Sequence, residues 1–433
     1  MKKIRTRALF VLMIAFFVMA GMVWFVREDY LHGRRWAMAF STFDNEAEGQ
    51  LLDCNGVPLA AFGKGKRDYS GDYLTRVANY HVTGDFNGMS GTGVLTRFWG
   101  SAQDYDFVNG TSVRRHGTVF LGVDAKADNY AYTLLNSSGK GTVMVLNYRT
   151  GEVKCLVSCP SADPVDTERE VEDSAYLNRA LSATYIPGST FKLITSAAAL
   201  ESLPDLETMQ FTCWGEYDIA GIKITCEEAH GVQTFEQALA NSCNCAFAQI
   251  TVQVGQKRMV QHVTDYGFLS GHTINGIYTS AGNYPLTFVG DPELAWSGIG
   301  QSVDQVCPFS MLRYVAAIAN DGVLAEPSFL KTAQPEKTTQ LVRPDTAARL
   351  QQLMRNNVKS HYEQYISFPG LELCAKTGTA ETGAGTSHSW FTGFVRSETH
   401  PYAFVAVVEE GGYGLWSAGV LVNDLLQFMV NGN

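Results

Sequence analysis

The feature that most constrains this chain is an uninterrupted apolar run near its N-terminus. From Ala8 to Val26 the sequence reads ALFVLMIAFFVMAGMVWFV, which is 19 residues without a charged side chain. A helix of this length extends about 28 Å, close to the thickness of the hydrocarbon core of a bilayer. The sequence therefore predicts a membrane anchor through residues 8–26, and the remainder of the chain must build the folded body.

The charges beside this run predict its orientation. Mixed charges follow the run from Arg27 onward, and four basic residues precede it: Lys2, Lys3, Arg5 and Arg7. Because positive flanks stay in the cytoplasm, we expect a single-pass protein of the cell membrane with a cytoplasmic N-terminus and an extracytoplasmic body. The alternative is a signal peptide cleaved at Val18-Met19-Ala20. We favour the retained anchor because the apolar run continues six residues past that site.

Composition excludes some classes of protein. Apolar residues make up 45% of the 433 residues and charged residues only 18%, so the chain can bury a large core and is not a disordered tail. The 43 acidic and 33 basic residues leave a net charge of -10. Such a charge argues against a nucleic-acid-binding protein, which needs a positive field to match the phosphates.

The cysteines suggest one disulfide and no metal site. An odd number cannot all pair within one chain. We predict a disulfide between Cys213 and Cys226, because FTCWGEYDIAGIKITC is typical of two short strands around an Ala-Gly turn. The C-x-C at 243–245 and the C-x3-C at 155–159 lack a second ligand pair at a zinc-like interval, so no metal is expected. The nine cysteines are Cys54, Cys155, Cys159, Cys213, Cys226, Cys243, Cys245, Cys307 and Cys374.

The texture of the sequence divides the chain into three parts. After the anchor, the chain is rich in Gly, Asp, Asn and Tyr with short apolar runs, which is typical of a small, loop-rich module with a few strands. Strand patterns then begin at Val143–Leu146 and Glu152–Val157, joined by a hairpin turn. We predict an anchor at 1–30, a non-catalytic pedestal module at 31–138 and a catalytic domain at 139–433.

Apolar periodicity in the third part predicts both helices and strands. One predicted helix begins at Ser189, after the break at Pro187-Gly188. Three others cover Phe235–Val254, Pro308–Asn320 and Ser417–Val430. The predicted C-terminal strands are Leu371–Lys376, Trp390–Val395 and Tyr402–Glu409. Strands at both ends with helices between them indicate an α+β domain whose mixed central sheet is closed by N- and C-terminal segments.

A serine and a lysine at the start of one predicted helix form the first candidate for chemistry. A hydroxyl is a poor nucleophile until a base removes its proton, and a lysine three residues later lies on the same helical face. Ser189-Thr190-Phe191-Lys192 has this spacing, but Ser137–Lys140 and Ser328–Lys331 match it too. Only Ser189 begins a long helix, where free N–H groups and the helix dipole stabilise an oxyanion. The alternative role for Ser189 is a simple N-cap.

Two further motifs occur once each in the chain. Ser242-Cys243-Asn244 is the only S-x-N, inside the second predicted helix or at its break, and Lys376-Thr377-Gly378 is the only K-T-G, at the end of a strand. Alone, the first fits a polar helix interruption and the second a strand-ending turn. The three motifs together, in this order, match the set found in penicillin-binding proteins and class A β-lactamases.

The chain resembles the class B penicillin-binding proteins, the membrane-anchored D,D-transpeptidases of bacterial cell-wall synthesis. The resemblance covers residues 141–433 strongly, and upstream Gly49–Gly56 is similar to the motif that opens the family's pedestal, with Cys54 where a basic residue is usual. The matching segments are Tyr185–Lys192, Ala238–Asn244, Gly298–Gln301, Ala319–Gly322, Lys376–Glu381 and Trp390-Phe391. The resemblance implies helices on both faces of the central sheet and an all-helical subdomain.

The resemblance also implies catalytic roles. Ser189 would attack the carbonyl of a peptide ending in D-Ala-D-Ala and form an acyl-enzyme. Lys192 would take its proton, which requires a pKa lowered by burial or by a neighbouring cation such as Lys376. Ser242 would relay a proton to the departing D-Ala amine. No metal and no organic cofactor is implied.

Substrate-binding roles follow in the same way. Asn244 would hold the backbone amide of the substrate, while Thr377 and Thr379 would bind its terminal carboxylate. Gly378 would let the peptide pass close to the strand edge. The backbone N–H groups of Ser189 and Thr379 would form the oxyanion hole.

The implied partners are peptidoglycan stem peptides, β-lactam antibiotics that acylate Ser189, and a polytopic glycan polymerase; no nucleic acid is implied. Alternatives within the same fold are a D,D-carboxypeptidase and a β-lactamase, although the chain offers no convincing glutamate for class A deacylation. A different class is a non-catalytic β-lactam sensor or a scaffold of wall assembly. The presence of Ser189, Lys192, Ser242 and Lys376 argues against a scaffold.

Overall fold

A computed structural model describes most of the chain. The described residues are 2–40, 49–63, 66–95, 103–106, 111–114, 117–166, 170–285, 287, 290–301, 304–383 and 385–432. Parts of the predicted pedestal, including 41–48, 96–102 and 107–110, therefore lie outside the described residues.

The helices and strands are numbered in chain order. The α-helices are α1 Lys2–Phe40, α2 Tyr73–Ala78, α3 Tyr80–Thr83, α4 Ala125–Ser138, α5 Arg179–Ser182, α6 Lys192–Ser202, α7 Phe235–Ala240, α8 Asn244–Val254, α9 Gln256–Asp265, α10 Gly290–Gly298, α11 Pro308–Ala319, α12 Pro344–Ser360 and α13 Val420–Asn431. The strands are β1 Gly49–Leu52, β2 Pro58–Gly63, β3 Lys66–Tyr69, β4 Gln103–Asp106, β5 Thr111–Arg114, β6 Gly117–Phe120, β7 Gly141–Asn147, β8 Val153–Cys159, β9 Gln210–Cys213, β10 Glu216–Ile219, β11 Ile222–Thr225, β12 Gly231–Thr234, β13 Thr273–Ile274, β14 Ile277–Tyr278, β15 Val323–Ala325, β16 Thr338–Gln340, β17 Leu373–Glu381, β18 Ser387–Val395 and β19 Tyr402–Val408.

The apolar run forms part of helix α1. Within the described residues, Lys3–Glu28 is one helix long and apolar enough to cross a membrane, and its large apolar side chains are exposed to solvent in the isolated chain. Exposure of a continuous apolar surface of this length is costly in water. The prediction of an apolar spanning helix at residues 8–26 agrees with this element.

A five-stranded sheet forms the centre of the body. The strand order is β17-β18-β19-β7-β8, and every neighbouring pair is antiparallel. The N-terminal strand β7 therefore pairs with the C-terminal strand β19, so the two ends of this region close one sheet. The closure was predicted, while the sheet that was predicted as mixed is antiparallel throughout.

Apolar residues on the two faces of this sheet form separate cores. Along β7, Met144 and Leu146 join one core and Val143 and Val145 the other, since successive side chains of a strand point to opposite faces. Helices α4 and α13 cover the second face, whereas α6, α8 and α11 pack into the larger core on the first. The sheet is thus buried on both faces.

The second predicted helix is interrupted at the S-x-N motif. Thr234 begins α7 with a capping box in which Gln237 reciprocates, and α7 ends after one and a half turns. Ser242 then adopts a left-handed φ of 51°, and the Cys243 sulfur accepts from the backbone N–H of Ala246 to cap α8. The left-handed residue reverses the chain locally, so the predicted single helix is two short ones with Ser242 between them.

Candidate active site

The three motifs line one cleft of about 650 Å³. Ser189 lies on a 3-10 turn, Gly188–Phe191, that leads directly into α6; Ser242 lies at the break between α7 and α8; and Lys376 lies on β17. These segments are distant in the sequence but adjacent in the fold. The cleft is lined by Ser189, Ser242, Asn244, Thr377 and Thr379, among others.

Close backbone packing holds the Ser189 turn against β17. Gly188 has a φ of 54°, and a Cβ on it would lie 2.7 Å from the Thr379 carbonyl oxygen. A Cβ on Gly378 would likewise lie 2.7 Å from the Pro187 carbonyl oxygen. Glycine is therefore required at both points of contact, because side chains do not fit at these distances. The Trp390 indole N–H, which donates to the Ile186 carbonyl at 3.0 Å, anchors the same turn.

Two buried lysines converge on Ser242. The Lys192 Nζ donates to the Ser242 carbonyl oxygen at 2.5 Å and to the Asn244 Oδ1 at 2.7 Å, and it lies 3.4 Å from the Ser242 Oγ. The Lys376 Nζ donates to the same hydroxyl at 2.9 Å and to the Thr377 carbonyl oxygen at 3.1 Å. One hydroxyl is thus shared by two amines.

Burial makes both amines less basic. It lowers the pKa of Lys192 to about 8, and it holds the pKa of Lys376 well below its ordinary value, with Lys192 adding like-charge repulsion. Both side chains are 1% exposed or less. A neutral lysine amine is a proton acceptor, so the site contains a base near neutral pH.

The Ser189 side chain lies in the same cleft. Ser189 is half-buried and lines the cleft, and its hydroxyl makes no hydrogen bond to any residue that the structure describes. In this conformation Lys192 instead donates to Ser242 and Asn244. Hydrogen bonds between a nucleophile and its base are often long before substrate binds.

The Thr377–Thr379 segment is fixed by groups that the sequence did not single out. The Tyr362 hydroxyl accepts from the Thr377 backbone N–H at 3.0 Å and lies 3.1 Å from its Oγ1. The Gly414 N–H donates to the Thr379 Oγ1 at 3.3 Å. Tyr362 occupies a short 3-10 turn without a recognisable motif, so no sequence signal marked it.

The Asn244 amide is engaged by the protein itself. Its Oδ1 accepts from Lys192, and its Nδ2 donates to the Thr225 carbonyl oxygen at 3.0 Å. Sequence reasoning assigned Asn244 to the substrate alone. The structure adds a contact with Lys192 that the sequence did not predict.

The predicted disulfide is wrong. All nine cysteines are free thiols. The hairpin around Ala220-Gly221 forms as expected from β10 and β11, but Cys213 precedes it on β9, which pairs with β12 instead. That register brings Cys213 beside His230 rather than into bonding distance of Cys226.

These residues form a cluster that the sequence analysis did not anticipate. The ligand atoms of Cys213, Cys226, His230 and Cys243 all lie within 4.8 Å of one another. Sequence reasoning tested cysteine pairs alone and gave His230 no role. The overlooked signal was Cys226-x3-His230, two residue types that bind zinc at a short separation.

Comparison with known families decides the relationship. The model of the penicillin binding protein transpeptidase domain matches residues 141–427. The chain belongs to this family. The resemblance noted from the motifs is thereby confirmed, and the match covers the sheet, the cleft and all three motifs.

Individual relatives agree with this placement. The chain is 29% identical over 316 residues to the peptidoglycan D,D-transpeptidase PbpA of Mycolicibacterium smegmatis, covering 65% of this chain and 64% of that protein. It is 31% identical over 257 residues to the stage V sporulation protein D of Bacillus subtilis, covering 55% and 39%. The chain thus spans less than two thirds of the length of these curated relatives.

Solved structures show the same fold. The D,D-transpeptidase domain of a peptidoglycan glycosyltransferase from Eggerthella lenta superposes with a TM-score of 0.73 at 25% identity, covering 90% of this chain and 100% of that one. Penicillin-binding protein A from M. tuberculosis, as a penicillin G acyl-enzyme complex, gives 0.70 at 24%, covering 88% and 99%. The predicted α+β transpeptidase fold is confirmed.

Proposed function

We propose that this protein is a serine-type D,D-transpeptidase that cross-links peptidoglycan stem peptides through an acyl-enzyme on Ser189. The observation that carries the proposal is the pair of buried lysines on the Ser242 hydroxyl, in the cleft that Ser189 lines. Relatives named as peptidoglycan D,D-transpeptidases support the same activity.

The first half-reaction forms the acyl-enzyme. The Ser189 Oγ bonds to the carbonyl carbon of the penultimate D-Ala, and its proton passes to the neutral Lys192 amine. Negative charge on the carbonyl oxygen is stabilised by the backbone N–H groups of Ser189 and Thr379. The close approach of Gly188 to the Thr379 carbonyl supports this pairing. The peptide bond to the terminal D-Ala then breaks, and the leaving amine takes a proton through the Ser242 hydroxyl.

The second half-reaction transfers the acyl group. The amine of a neighbouring stem peptide attacks the ester carbonyl, loses a proton to the same amine and hydroxyl groups, and forms the cross-link. The bond to the Ser189 Oγ breaks, and the serine regains its proton. The chain's own groups can carry each proton, so the steps require no metal or organic cofactor.

Recognition of the donor peptide falls to the edge of β17. Thr377 and Thr379 bind the terminal carboxylate, supported by the positive charge of Lys376 when that amine is protonated. Gly378 leaves room beside the strand for the peptide. Asn244 keeps a second Nδ2 hydrogen for the substrate amide while it positions Lys192.

The anchor fits this activity. We propose that residues 8–26 hold the protein in the cell membrane with the N-terminus cytoplasmic, that 31–138 form a pedestal, and that 139–433 face the cell wall. A polytopic glycan polymerase would supply the strands that are cross-linked. The apolar helix and the basic residues before it support this arrangement.

Labelling with a fluorescent penicillin tests the proposal. The full chain in detergent should be labelled covalently, and Ser189→Ala should remove the label. Ser137→Ala is the matched control, because Ser137 and Lys140 have the same spacing at an exposed helix end, and it should keep the label. Slow release of the drug supports the transpeptidase, whereas rapid turnover of the drug would identify a β-lactamase. Release of D-Ala from a stem peptide without cross-linked product would identify a carboxypeptidase. Absence of any label would leave only a scaffold.

A further inference from the structure

We propose that Cys213, Cys226, His230 and Cys243 form a structural zinc site directly behind the Ser242–Asn244 segment. Three thiolates and one imidazole are a common ligand set for structural Zn²⁺. The four side chains come from separate parts of the fold, namely the end of β9, the loop after β11, the residue before β12 and the cap of α8.

Three of the six distances between the ligand atoms match a tetrahedral zinc site, and all six are within 4.8 Å. With Zn–S bonds of about 2.3 Å and Zn–N bonds of about 2.0–2.1 Å, a tetrahedron has S···S edges of about 3.8 Å and S···N edges of about 3.6 Å. The Cys226 and Cys243 sulfurs are 3.9 Å apart. The His230 Nδ1 lies 3.5 Å from the Cys213 sulfur and 3.6 Å from the Cys226 sulfur. A disulfide, in contrast, requires a separation of about 2.05 Å.

Backbone pairing holds the cluster together without a metal. Cys213 pairs in register with Gly231 across β9 and β12, which places His230 next to it. The Cys226 N–H donates to the Gly215 carbonyl oxygen at 2.8 Å, which fixes the loop after the hairpin. Cys213 and Cys243 are buried, whereas Cys226 and His230 are partly exposed and line the cleft. The cleft therefore gives a metal ion access to the site.

The orientation of His230 suits metal binding. Its Nδ1 faces the sulfurs, while its Nε2 lies 3.7 Å from the Glu228 carboxylate. A ligating histidine commonly points its other ring nitrogen at a carboxylate. A small side-chain movement would bring Glu228 from 3.7 Å into hydrogen-bond distance of Nε2, which would leave the Nδ1 lone pair for the metal.

Binding of Zn²⁺ requires only the loss of protons from the ligands. Three thiols release their protons to solvent, the imidazole binds in its neutral form, and Zn²⁺ keeps its oxidation state, so no oxidant or reductant is needed. Four protein ligands close the coordination sphere and leave no open position for substrate. The metal therefore acts on structure and not on the bond being made.

The expected consequence is a fixed S-x-N segment. Cys243 lies between Ser242 and Asn244, and the Asn244 N–H donates to the Cys226 sulfur at 3.4 Å. Ser242 carries a left-handed backbone conformation that costs free energy. Coordination of Cys243 and Cys226 by one metal ion would tie this strained segment to the β9–β12 pair. Ser242 and Asn244 would then stay in contact with Lys192.

Metal analysis of the full chain, purified in detergent without chelator, tests the proposal. We expect about one zinc per chain, and, after chelation under reducing conditions, Co²⁺ should produce the visible bands of a tetrahedral thiolate site. Less than about a tenth of an equivalent together with a cobalt spectrum that lacks these bands would overturn it, as would a Cys213–Cys226 disulfide found by peptide mapping.

Single substitutions identify the ligands. Cys213→Ser, Cys226→Ser, His230→Ala and Cys243→Ser should each lose the zinc, and Glu228→Gln should weaken its affinity about 10- to 100-fold. Cys54→Ser and Cys307→Ser are matched controls outside the four-ligand set and should retain it, since the Cys307 thiol contacts the Ala180 and Leu181 carbonyl oxygens instead. Metal loss in both controls, or retention in all four ligand variants, would contradict the assignment. If a ligand variant does not fold, the zinc content and cobalt spectrum of the unsubstituted chain still decide, and neither depends on peptidoglycan activity.

Discussion

At the scale of single residues, the chemistry of the site depends on the protonation states of its two buried lysines. Lys192 and Lys376 are both buried and both contact the Ser242 hydroxyl. Two ammonium groups around one hydroxyl in a buried site repel each other, so loss of a proton from one of them is favourable. In the proposed mechanism, the neutral amine that results at Lys192 is the base for Ser189.

The pH dependence of acylation follows from this environment. Because burial lowers the pKa of Lys192 to about 8, its neutral form increases as the pH rises to that value. The rate of acylation by penicillin should therefore rise about tenfold per pH unit below about pH 8 and level off above it. Stopped-flow or gel-based labelling rates measure this profile.

The Lys192→Arg variant tests whether Lys192 causes this pH dependence. The guanidinium stays protonated at all these pH values, so we expect a loss on the order of 10²–10⁴-fold in rate and no rise toward pH 8. A flat profile in the unsubstituted protein, or a normal profile in Lys192→Arg, would contradict the role of Lys192.

At the scale of elements, the close approach of one turn to one strand builds the site. The Gly188 turn lies against β17 with too little space for a side chain, and the Gly188 N–H donates to the Gly300 carbonyl oxygen at 2.9 Å. This packing sets the position of the Ser189 N–H relative to that of Thr379. The proposed oxyanion hole therefore depends on the turn and the strand together.

Gly188→Ala tests this packing. The new methyl group would meet the Thr379 carbonyl oxygen, so the turn must shift, and the labelling rate should fall at least about 100-fold, the magnitude expected for a lost oxyanion contact. Gly255→Ala is the matched control, because Gly255 also has a positive φ, of 79°, but open space around it. It should cost stability of about 1–3 kcal/mol and leave the labelling rate unchanged. Equal labelling by both variants would contradict the account.

The sequence predicted the elements better than their contacts. Helix and strand periodicity located α11 and β19 closely, but β17 continues five residues past its predicted end at Lys376, so the K-T-G motif lies within the strand. The three motifs located the residues that meet in the cleft. The sequence did not predict the break at Ser242 or the cluster of three cysteines and His230, because both depend on tertiary geometry. The break requires a left-handed residue that packing stabilises, and the cluster requires a β9–β12 register that brings Cys213 to His230.

At the scale of the whole molecule, the predicted anchor determines on which side of the membrane the body lies. The basic residues before the apolar helix predict that the catalytic part lies outside the cytoplasm. Alkaline phosphatase fused after residue 433 should be active in a bacterial host, and green fluorescent protein fused before residue 1 should fluoresce. Inactive phosphatase with normal expression would reverse the orientation.

The central claim is that Ser189 is the acylated nucleophile. Mass spectrometry of the full chain after exposure to penicillin tests it most directly, with the modified peptide mapped by fragmentation. We predict a single added penicillin mass on the peptide that contains Ser189. Modification of a different residue, or an unmodified chain in the presence of intact drug, would contradict the account.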